Sequence, residues 1–137
     1  MKGVGLMDFI SPSKGQLTFD ETYQEVISYL DEKPKDQYKL IIGTDSQPHP
    51  HKDVCFVTAI IIHRVGKGAR YFFRRHYQRY MDNLRQRIYY ETYLSLEVAT
   101  LMASKLAENE DSRLNVEIHL DVGEQGETKE LIREVVG

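Results

Sequence analysis

Two short apolar runs that each lead into an aspartate stand out in the hydrophobic pattern of the chain. The first covers residues 40–45 and reads Leu-Ile-Ile-Gly-Thr-Asp, and the second covers residues 116–121 and ends in Asp121. Short runs rich in β-branched residues predict buried strands. A carboxylate at the rim of a sheet is costly without a partner. The pattern therefore indicates that Asp45 and Asp121 face a metal ion.

The remaining pattern predicts helices and strands in a regular order. Thr18 and Glu21 have the spacing of a capping box at the start of a helix. In chain order we expect a helix from Thr18 to Pro34, strands at 39–45, 54–64 and 69–77, a long helix from about 83 to 107, a strand at 116–121 and a helix from about 128 to 136.

This order of elements predicts one mixed sheet. Residues 54–64 are apolar on both faces, which predicts a central strand, and the turn at 66–68 indicates an antiparallel partner at 69–77. The long helix would be a crossover that returns the last strand beside the first and parallel to it. We therefore expect an α/β fold in which Asp45 and Asp121 share one edge of the sheet.

Length and composition describe an ordinary single domain. The 137 residues are enough for a real core, with residues 1–17 expected to form an N-terminal arm and residues 18–137 the domain. No apolar stretch is long enough to span a bilayer, and no signal-peptide pattern opens the chain. Cys55 is the only cysteine, which excludes an intrachain disulfide and fits a cytoplasmic protein.

Charge is unevenly distributed in a chain whose net charge is −3. Residues 70–87 contain six arginines and one aspartate, a local balance of +5, which leaves −8 for the rest. This segment indicates a phosphate-facing patch. The expected nucleic-acid-binding residues are Arg70, Arg74, Arg75 and Arg79, interleaved with aromatic residues that can stack on bases. The alternative is that the aromatic residues pack in the core and the arginines pair with acids of the same chain.

The long helix offers two candidates for a third carboxylate, Glu91 and Glu97. At about 100° per residue they lie about 120° apart and so face different directions. Glu91 falls in the middle of the apolar stripe, where a buried acid needs a partner, and it is the preferred candidate. The alternative for Glu91 is an ion pair with Arg87 on the preceding turn. Glu97 is the reserve candidate, and its alternative is a solvated helix face.

Three converging carboxylates at Asp45, Glu91 and Asp121 suit Mg²⁺ or Mn²⁺, which prefer hard oxygen ligands. Sites with two such ions about 4 Å apart commonly serve phosphoryl transfer. In this hypothesis Asp45 bridges two metal ions, and Glu91 and Asp121 each hold one. His119 shares a strand face with Asp121 by two-residue alternation, which indicates a supporting group.

Several longer strings in the chain are similar to a known family. They are residues 38–47 (Tyr-Lys-Leu-Ile-Ile-Gly-Thr-Asp-Ser-Gln), 62–72, 84–92, 95–97 and 118–123. With the two strand-end aspartates and the helix glutamate, they resemble the YkuK-type family of small bacterial ribonuclease-H-like proteins. The resemblance implies a sheet of spatial order 3-2-1-4 with a fifth strand beyond, and a carboxylate cluster that the superfamily uses for two-metal cleavage of nucleic-acid phosphodiesters. Family members generally continue past Gly137, so we expect the chain to be truncated at its C-terminus and to lack that fifth strand.

Three functional hypotheses follow. The leading one is a divalent-metal-dependent nuclease that cleaves RNA or DNA at Asp45, Glu91 and Asp121. The second is a module that binds nucleic acid through the arginine-rich segment without cleaving it. The third is an interaction domain that forms a homodimer through a free sheet edge. Nucleic acid is the expected partner in the first two hypotheses, and no membrane partner is expected.

Overall fold

Six strands form one sheet in the computed structural model, which describes residues 7–47, 53–79, 83–120 and 127–136. The elements in chain order are strands β1 (Asp8–Ser11) and β2 (Gly15–Thr18), helix α1 (Phe19–Glu32), strands β3 (Tyr38–Gln47), β4 (Val54–Arg64) and β5 (Gly68–Gln78), helix α2 (Leu84–Glu108), strand β6 (Val116–Ile118) and helix α3 (Glu127–Val136). The strands lie in the order β2-β1-β5-β4-β3-β6, so the predicted α/β class is confirmed.

The centre of the sheet is a meander of three long antiparallel strands. β4 pairs with β3 along residues 55–64 and with β5 along its whole length. Most β4 side chains are buried on both faces, as expected for a continuous apolar strand between two neighbours. The turn at 65–67 joins β4 to β5, and Gly66 has a φ of 77°, which glycine adopts at little steric cost.

β6 is the parallel strand of the sheet. It pairs with β3, with Leu40 opposite Val116 and Ile42 opposite Ile118. Helix α2 is the crossover between β5 and β6, which is why the last strand runs parallel to β3. If β3, β4, β5 and β6 are numbered 1 to 4 in chain order, they lie side by side in the order 3-2-1-4. The backbone N–H of His119 donates to the Ile42 carbonyl at 2.9 Å, so the described pairing stops three residues before Asp45.

The N-terminal segment forms a hairpin from residue 8 onward, so the expectation of an irregular arm is corrected there. β1 and β2 pair with each other, and β1 joins the sheet where Ile10 lies opposite Phe73 of β5. Residues 12–14 form the turn of this hairpin, and Gly15 after them has a φ of 76°. Phe9 has no exposed surface and belongs to the main core, so the hairpin is an integral part of the sheet.

Two apolar clusters lie on opposite faces of the sheet. One contains sheet residues Leu40, Ile42, Ile60, Ile62 and Phe72 packed against residues of α1 and α2 such as Val26, Leu30, Val98 and Met102. The other contains Val57, Ala59, Ile61 and Phe73 with Ile132 of α3. The molecule therefore has α1 and α2 on one face of the sheet and α3 on the other.

The first two helices begin at side chains that cap their backbone N–H groups. Thr18 Oγ1 accepts from the Glu21 N–H at 3.1 Å, and Glu21 Oε1 accepts from the Thr18 N–H at 2.9 Å, which confirms the capping box of α1. Asn83 Oδ1 accepts from the Gln86 N–H at the start of α2. Among the helices that the structure describes, none is long and apolar enough to cross a membrane.

Candidate active site

Asp45 is a buried acid on the face of the sheet that α3 covers. It lies inside β3, two residues before the strand ends, and opposite Val57 of β4. Its side chain is 1% exposed. The Arg133 guanidinium donates to both carboxylate oxygens, at 3.0 and 3.1 Å, and Gln47 Nε2 donates to Oδ2 at 2.8 Å. Asp45 is thus held by a two-point ion pair, the geometry in which arginine binds carboxylates best.

Glu91 is the corresponding buried acid of α2, with a side chain that is 8% exposed. Ser46 Oγ donates to Oε2 at 2.5 Å, and Lys129 Nζ donates to Oε1 at 2.7 Å. Arg87 Nη1 donates to Ser46 Oγ at 3.3 Å. The cation beside Glu91 therefore comes from α3, while Arg87 acts on the glutamate through the Ser46 hydroxyl.

Lys129 of α3 connects the two acids. Its ammonium lies 2.7 Å from Glu91 Oε1 and 3.9 Å from Asp45 Oδ1, and its side chain is 7% exposed. Because one ammonium group lies within 3.9 Å of both carboxylates, the two acids are close enough to share a single cation. The structure thus brings together two of the three carboxylates that the sequence predicts at the site.

The two acids approach from opposite faces of the sheet. Adjacent residues of a strand point to opposite faces, so Asp45 faces α3 and Ser46 faces α2, where it meets Glu91. They meet at the part of β3 beyond the described pairing with β6, which ends at Ile42. Lys129 reaches both acids at this place.

The donor chemistry of the site fits a hard divalent cation. Asp45 and Glu91 offer carboxylate oxygens, which Mg²⁺ and Mn²⁺ prefer. In the part of the chain that the structure describes, no group of three or more His, Cys, Asp and Glu side chains is arranged to hold a metal. Asp121, the predicted third ligand, lies outside the described residues. The role of these three acids as metal ligands therefore stays a prediction.

Glu97, the reserve candidate, lies on another side of α2. Its side chain is 39% exposed and lies 4.0 Å from the Arg74 guanidinium of β5. This position follows from the rotation of about 120° between residues 91 and 97 along the helix. Glu97 is half-buried and faces Arg74 of the sheet, so it does not lie on the solvated helix face that was its alternative interpretation. Glu91, in contrast, lies with Asp45 at Lys129.

The arginines of β5 divide between the two alternatives proposed for them. Arg70 lies 3.6 Å from Glu32 and Arg74 lies near Glu97, so these two pair with acids of the chain. Arg75 of β5 is exposed, as is Arg79, which follows the last residue of the strand. Two-residue alternation along β5 puts Arg75 on the face opposite to Arg74, so the segment presents no single arginine patch.

Arg75 lies in the same cross-strand row as Asp45. Asp45 is opposite Val57, and Val57 is opposite Arg75, so all three side chains point to one face. Neighbouring strands are about 4.8 Å apart, which puts Arg75 roughly 10 Å from Asp45. The next row on this face contains Gln47, Cys55 and Tyr77, and Tyr77 is 62% exposed. An exposed basic and aromatic strip therefore lies on the same face of the sheet as Asp45.

A small cavity of about 20 Å³ lies beside Glu91, roughly the room that one water molecule needs. The residues that line it are Thr44, Ile88, Glu91, Thr92, Ser95, His119 and Leu120. His119 therefore lies near Glu91, and its Nε2 is 3.5 Å from Glu117 Oε1. The predicted supporting role of His119 beside Asp121 stays a prediction, because residue 121 is outside the described residues.

Lys129 and Arg133 are site residues that the sequence analysis missed. They are four residues apart on α3 and flank Ile132, which is 3% exposed and packs on the sheet. Positive residues at this spacing, beside an apolar residue that faces the sheet, are the signal that points to them. The signal is weak because lysine and arginine at such spacing usually extend into solvent.

Comparison with known proteins gives two matches that cover most of the chain. A family model described as Ribonuclease H-like matches residues 21–137. The "Uncharacterized protein YkuK" of Bacillus subtilis (strain 168) is 35% identical over an aligned length of 141 residues. The alignment covers 94% of this chain and 81% of that protein. No solved structure gives a significant match.

Proposed function

Because the chain belongs to the ribonuclease H-like family, we propose that it is a divalent-metal-dependent nuclease that hydrolyses phosphodiester bonds of RNA or DNA. The observation that carries the proposal is the meeting of two buried carboxylates, Asp45 and Glu91, at one cation. A fold alone does not determine activity, but buried acids that converge from two elements are a costly arrangement typical of functional sites.

The residues that would hold Mg²⁺ or Mn²⁺ are Asp45 and Glu91, together with Asp121. When bound, such an ion supplies activation of a water molecule and neutralisation of phosphate charge. Gln47 orients the Asp45 carboxylate, and Ser46 orients the Glu91 carboxylate, through the hydrogen bonds at 2.8 and 2.5 Å. These two donors fix the acids in place, which a metal site requires of the groups around its ligands.

The test is cleavage of end-labelled single-stranded RNA, single-stranded DNA and RNA–DNA hybrid by the purified chain, with Mg²⁺, with Mn²⁺ and with excess EDTA. We expect cleavage with at least one metal ion, and a loss of more than about 100-fold in Asp45→Asn and in Glu91→Gln because each variant removes a ligand charge. Glu97→Gln is the matched control and keeps the wild-type rate.

Circular dichroism of each variant tests whether a loss of cleavage results from a loss of folded structure. Cleavage that persists in Asp45→Asn, or in excess EDTA, would overturn the proposal.

A second candidate function is nucleic-acid binding without cleavage, favoured by the exposed strip of Arg75, Tyr77 and Arg79. Exposed arginines contact phosphates, and a tyrosine face stacks on an unpaired base. In EDTA, we expect Arg75→Ala combined with Arg79→Ala to weaken RNA binding and to lower the slope of log affinity against log salt by roughly 2. Arg70→Ala is the control, because Arg70 already pairs with Glu32.

Cys55 gives an independent readout of that second function, because it lies between Gln47 and Tyr77 and is the only cysteine. Bound RNA is expected to slow modification of the Cys55 thiol by a maleimide. Unchanged salt dependence in the double variant, with unprotected Cys55, would exclude this face as the binding surface. The homodimer proposed from an open sheet edge stays a prediction.

A further inference from the structure

Helix α3 supplies two positive charges to the carboxylate site. Lys129 Nζ lies 2.7 Å from Glu91 and 3.9 Å from Asp45, and Arg133 donates to both oxygens of Asp45. The two residues are one helical turn apart and therefore share a face of α3. The interactions come from one element, so the position of a single helix determines the charge balance of the site.

These cations stabilise the acids in the absence of a metal. A carboxylate that is buried without a cation pays a desolvation penalty that hydrogen bonds alone do not offset. The side chains of Asp45 and Glu91 are 1% and 8% exposed, so water solvates them little and they need a positive charge nearby. Lys129 and Arg133 supply it in this structure.

The same cations use the oxygen atoms that a metal ion would need. Mg²⁺ requires oxygens at about 2.0–2.1 Å in near-octahedral geometry. The Lys129 ammonium lies against Glu91 Oε1 and near Asp45 Oδ1, and Arg133 uses both oxygens of Asp45. A divalent cation among these oxygens would also be repelled by an ammonium only a few ångströms away.

We propose that Lys129 and Arg133 form an internal counter-ion pair that competes with a divalent cation for Asp45 and Glu91. Metal binding then requires that these side chains leave the acids, which lowers the apparent affinity for the metal. Ile132 keeps α3 packed on Val57, Ala59 and Ile61, so the change is confined to the two long side chains. This inference rests on the proposed function, because it assumes that the acids bind a metal.

The first test uses the wild-type chain and the reactivity of its lysines. Sulfo-NHS-acetate labelling with mass spectrometry is carried out without metal and with saturating Mg²⁺. Lys129 is buried beside the acids and is expected to be protected without metal and labelled at least about fivefold faster with Mg²⁺. Lys67, 62% exposed, is the internal control and reacts equally in both conditions. Unchanged protection of Lys129 in a sample that binds Mg²⁺ by calorimetry overturns the proposal.

The second test measures Mn²⁺ affinity by isothermal titration calorimetry in wild type, Lys129→Met and the control Lys67→Met. We expect Lys129→Met to bind Mn²⁺ at least about tenfold more tightly, because it removes a charge a few ångströms from the metal position. Lys67→Met binds as wild type. Equal or weaker binding by Lys129→Met contradicts the competition. If that variant does not fold, the labelling of wild-type Lys129 decides the question alone.

The two proposals fail in different ways. Mn²⁺ binding to wild type with no gain in Lys129→Met overturns the counter-ion inference and leaves the nuclease proposal standing. No Mn²⁺ binding to either protein overturns both, since a metal-dependent nuclease needs the ion as well.

Discussion

At the scale of single residues, the chemistry of the site depends on how Asp45 and Glu91 are held. Each acid accepts a hydrogen bond from a cation of α3, Arg133 for Asp45 and Lys129 for Glu91. Each also accepts one from a neutral donor of β3, namely Gln47 for Asp45 and Ser46 for Glu91. The neutral donors belong to the same strand as Asp45, so one strand orients both acids. Ser46 therefore links the strand, the helix glutamate and Arg87.

Replacement of Ser46 by alanine tests this link. The substitution removes the hydroxyl that donates to Glu91 and accepts from Arg87, and it leaves two charged side chains with fewer partners. We expect the free energy of unfolding to fall by about 1–3 kcal/mol, as for a lost hydrogen bond to a buried charge. Urea denaturation measures it, with the exposed Ser112→Ala as control. A loss for Ser46→Ala no larger than for Ser112→Ala would mean that the hydroxyl does not support Glu91.

A second residue-scale prediction concerns pH and Asp111. The hydrogen bond from Arg113 holds the pKa of Asp111 below its ordinary value of 3.8, against the opposing effect of burial. A carboxyl whose pKa is lowered by folding stabilises the protein above 3.8, and this stabilisation is lost as pH falls through the lowered pKa. We therefore expect Asp111→Asn to be less stable than wild type at neutral pH and to lose less stability on acidification.

The measurement for Asp111 is urea denaturation at a series of pH values from about 6 down to 2.5, across the titration range of carboxyl groups. Ser112→Ala, at an exposed position without a titratable group, is the control and keeps the acid dependence of wild type. If the stability of Asp111→Asn fell on acidification as much as that of wild type, Arg113 would not stabilise the charged form of Asp111.

At the scale of elements, the sequence predicts the long strands and helices but not the hairpin of β1 and β2. The 54–64 strand and the helix around Glu91 have continuous or periodic apolar patterns that leave little choice of structure. β1 and β2 have four residues each, with mixed polarity, and their place depends on the distant pairing of Ile10 with Phe73. The local pattern of hydrophobic and polar residues does not predict a pairing between such distant residues.

The hairpin gives the element-scale prediction. Phe9 of β1 has no exposed surface and packs in the main core, whereas its neighbour Ile10 is 37% exposed. We expect Phe9→Ala to lower the free energy of unfolding by about 3–5 kcal/mol, as for other buried phenylalanines. Ile10→Ala is the matched control, expected to cost well under half as much, and thermal unfolding compares them. Similar small effects of both changes would mean that the segment is an arm after all.

The sequence predicts which acids of the strand and the long helix come together in the candidate site. It does not predict which positive residues pair with those acids. Facing direction along the helix selects Glu91 over Glu97, and the end of an apolar run selects Asp45. Lys129 and Arg133 were missed because their role depends on how α3 sits on the sheet. That position is set by the packing of Ile132 on Val57, Ala59 and Ile61, which is a tertiary contact.

At the scale of the whole molecule, the site lies where the layers of the fold meet. α1 and α2 cover one face of the sheet and α3 covers the other, and described pairing on the β6 side of β3 stops at Ile42. Lys129 contacts both Asp45 and Glu91, so side chains from the two faces reach one another near Asp45. The exposed strip with Arg75 and Tyr77 lies on the α3 face, two strands from Asp45. This arrangement combines a buried charged centre with a surface suited to a nucleic-acid strand.

In the function proposed above, Asp45 and Glu91 form a divalent-cation site for which Lys129 competes. The most direct test is a crystal structure of the wild-type chain grown with Mn²⁺, with an anomalous difference map collected at the manganese absorption edge. We predict an anomalous peak between the carboxylates of Asp45 and Glu91, with the Lys129 ammonium moved away from both. A map without a peak at these acids, in which Lys129 still bridges them, would mean that they do not form a divalent-cation site.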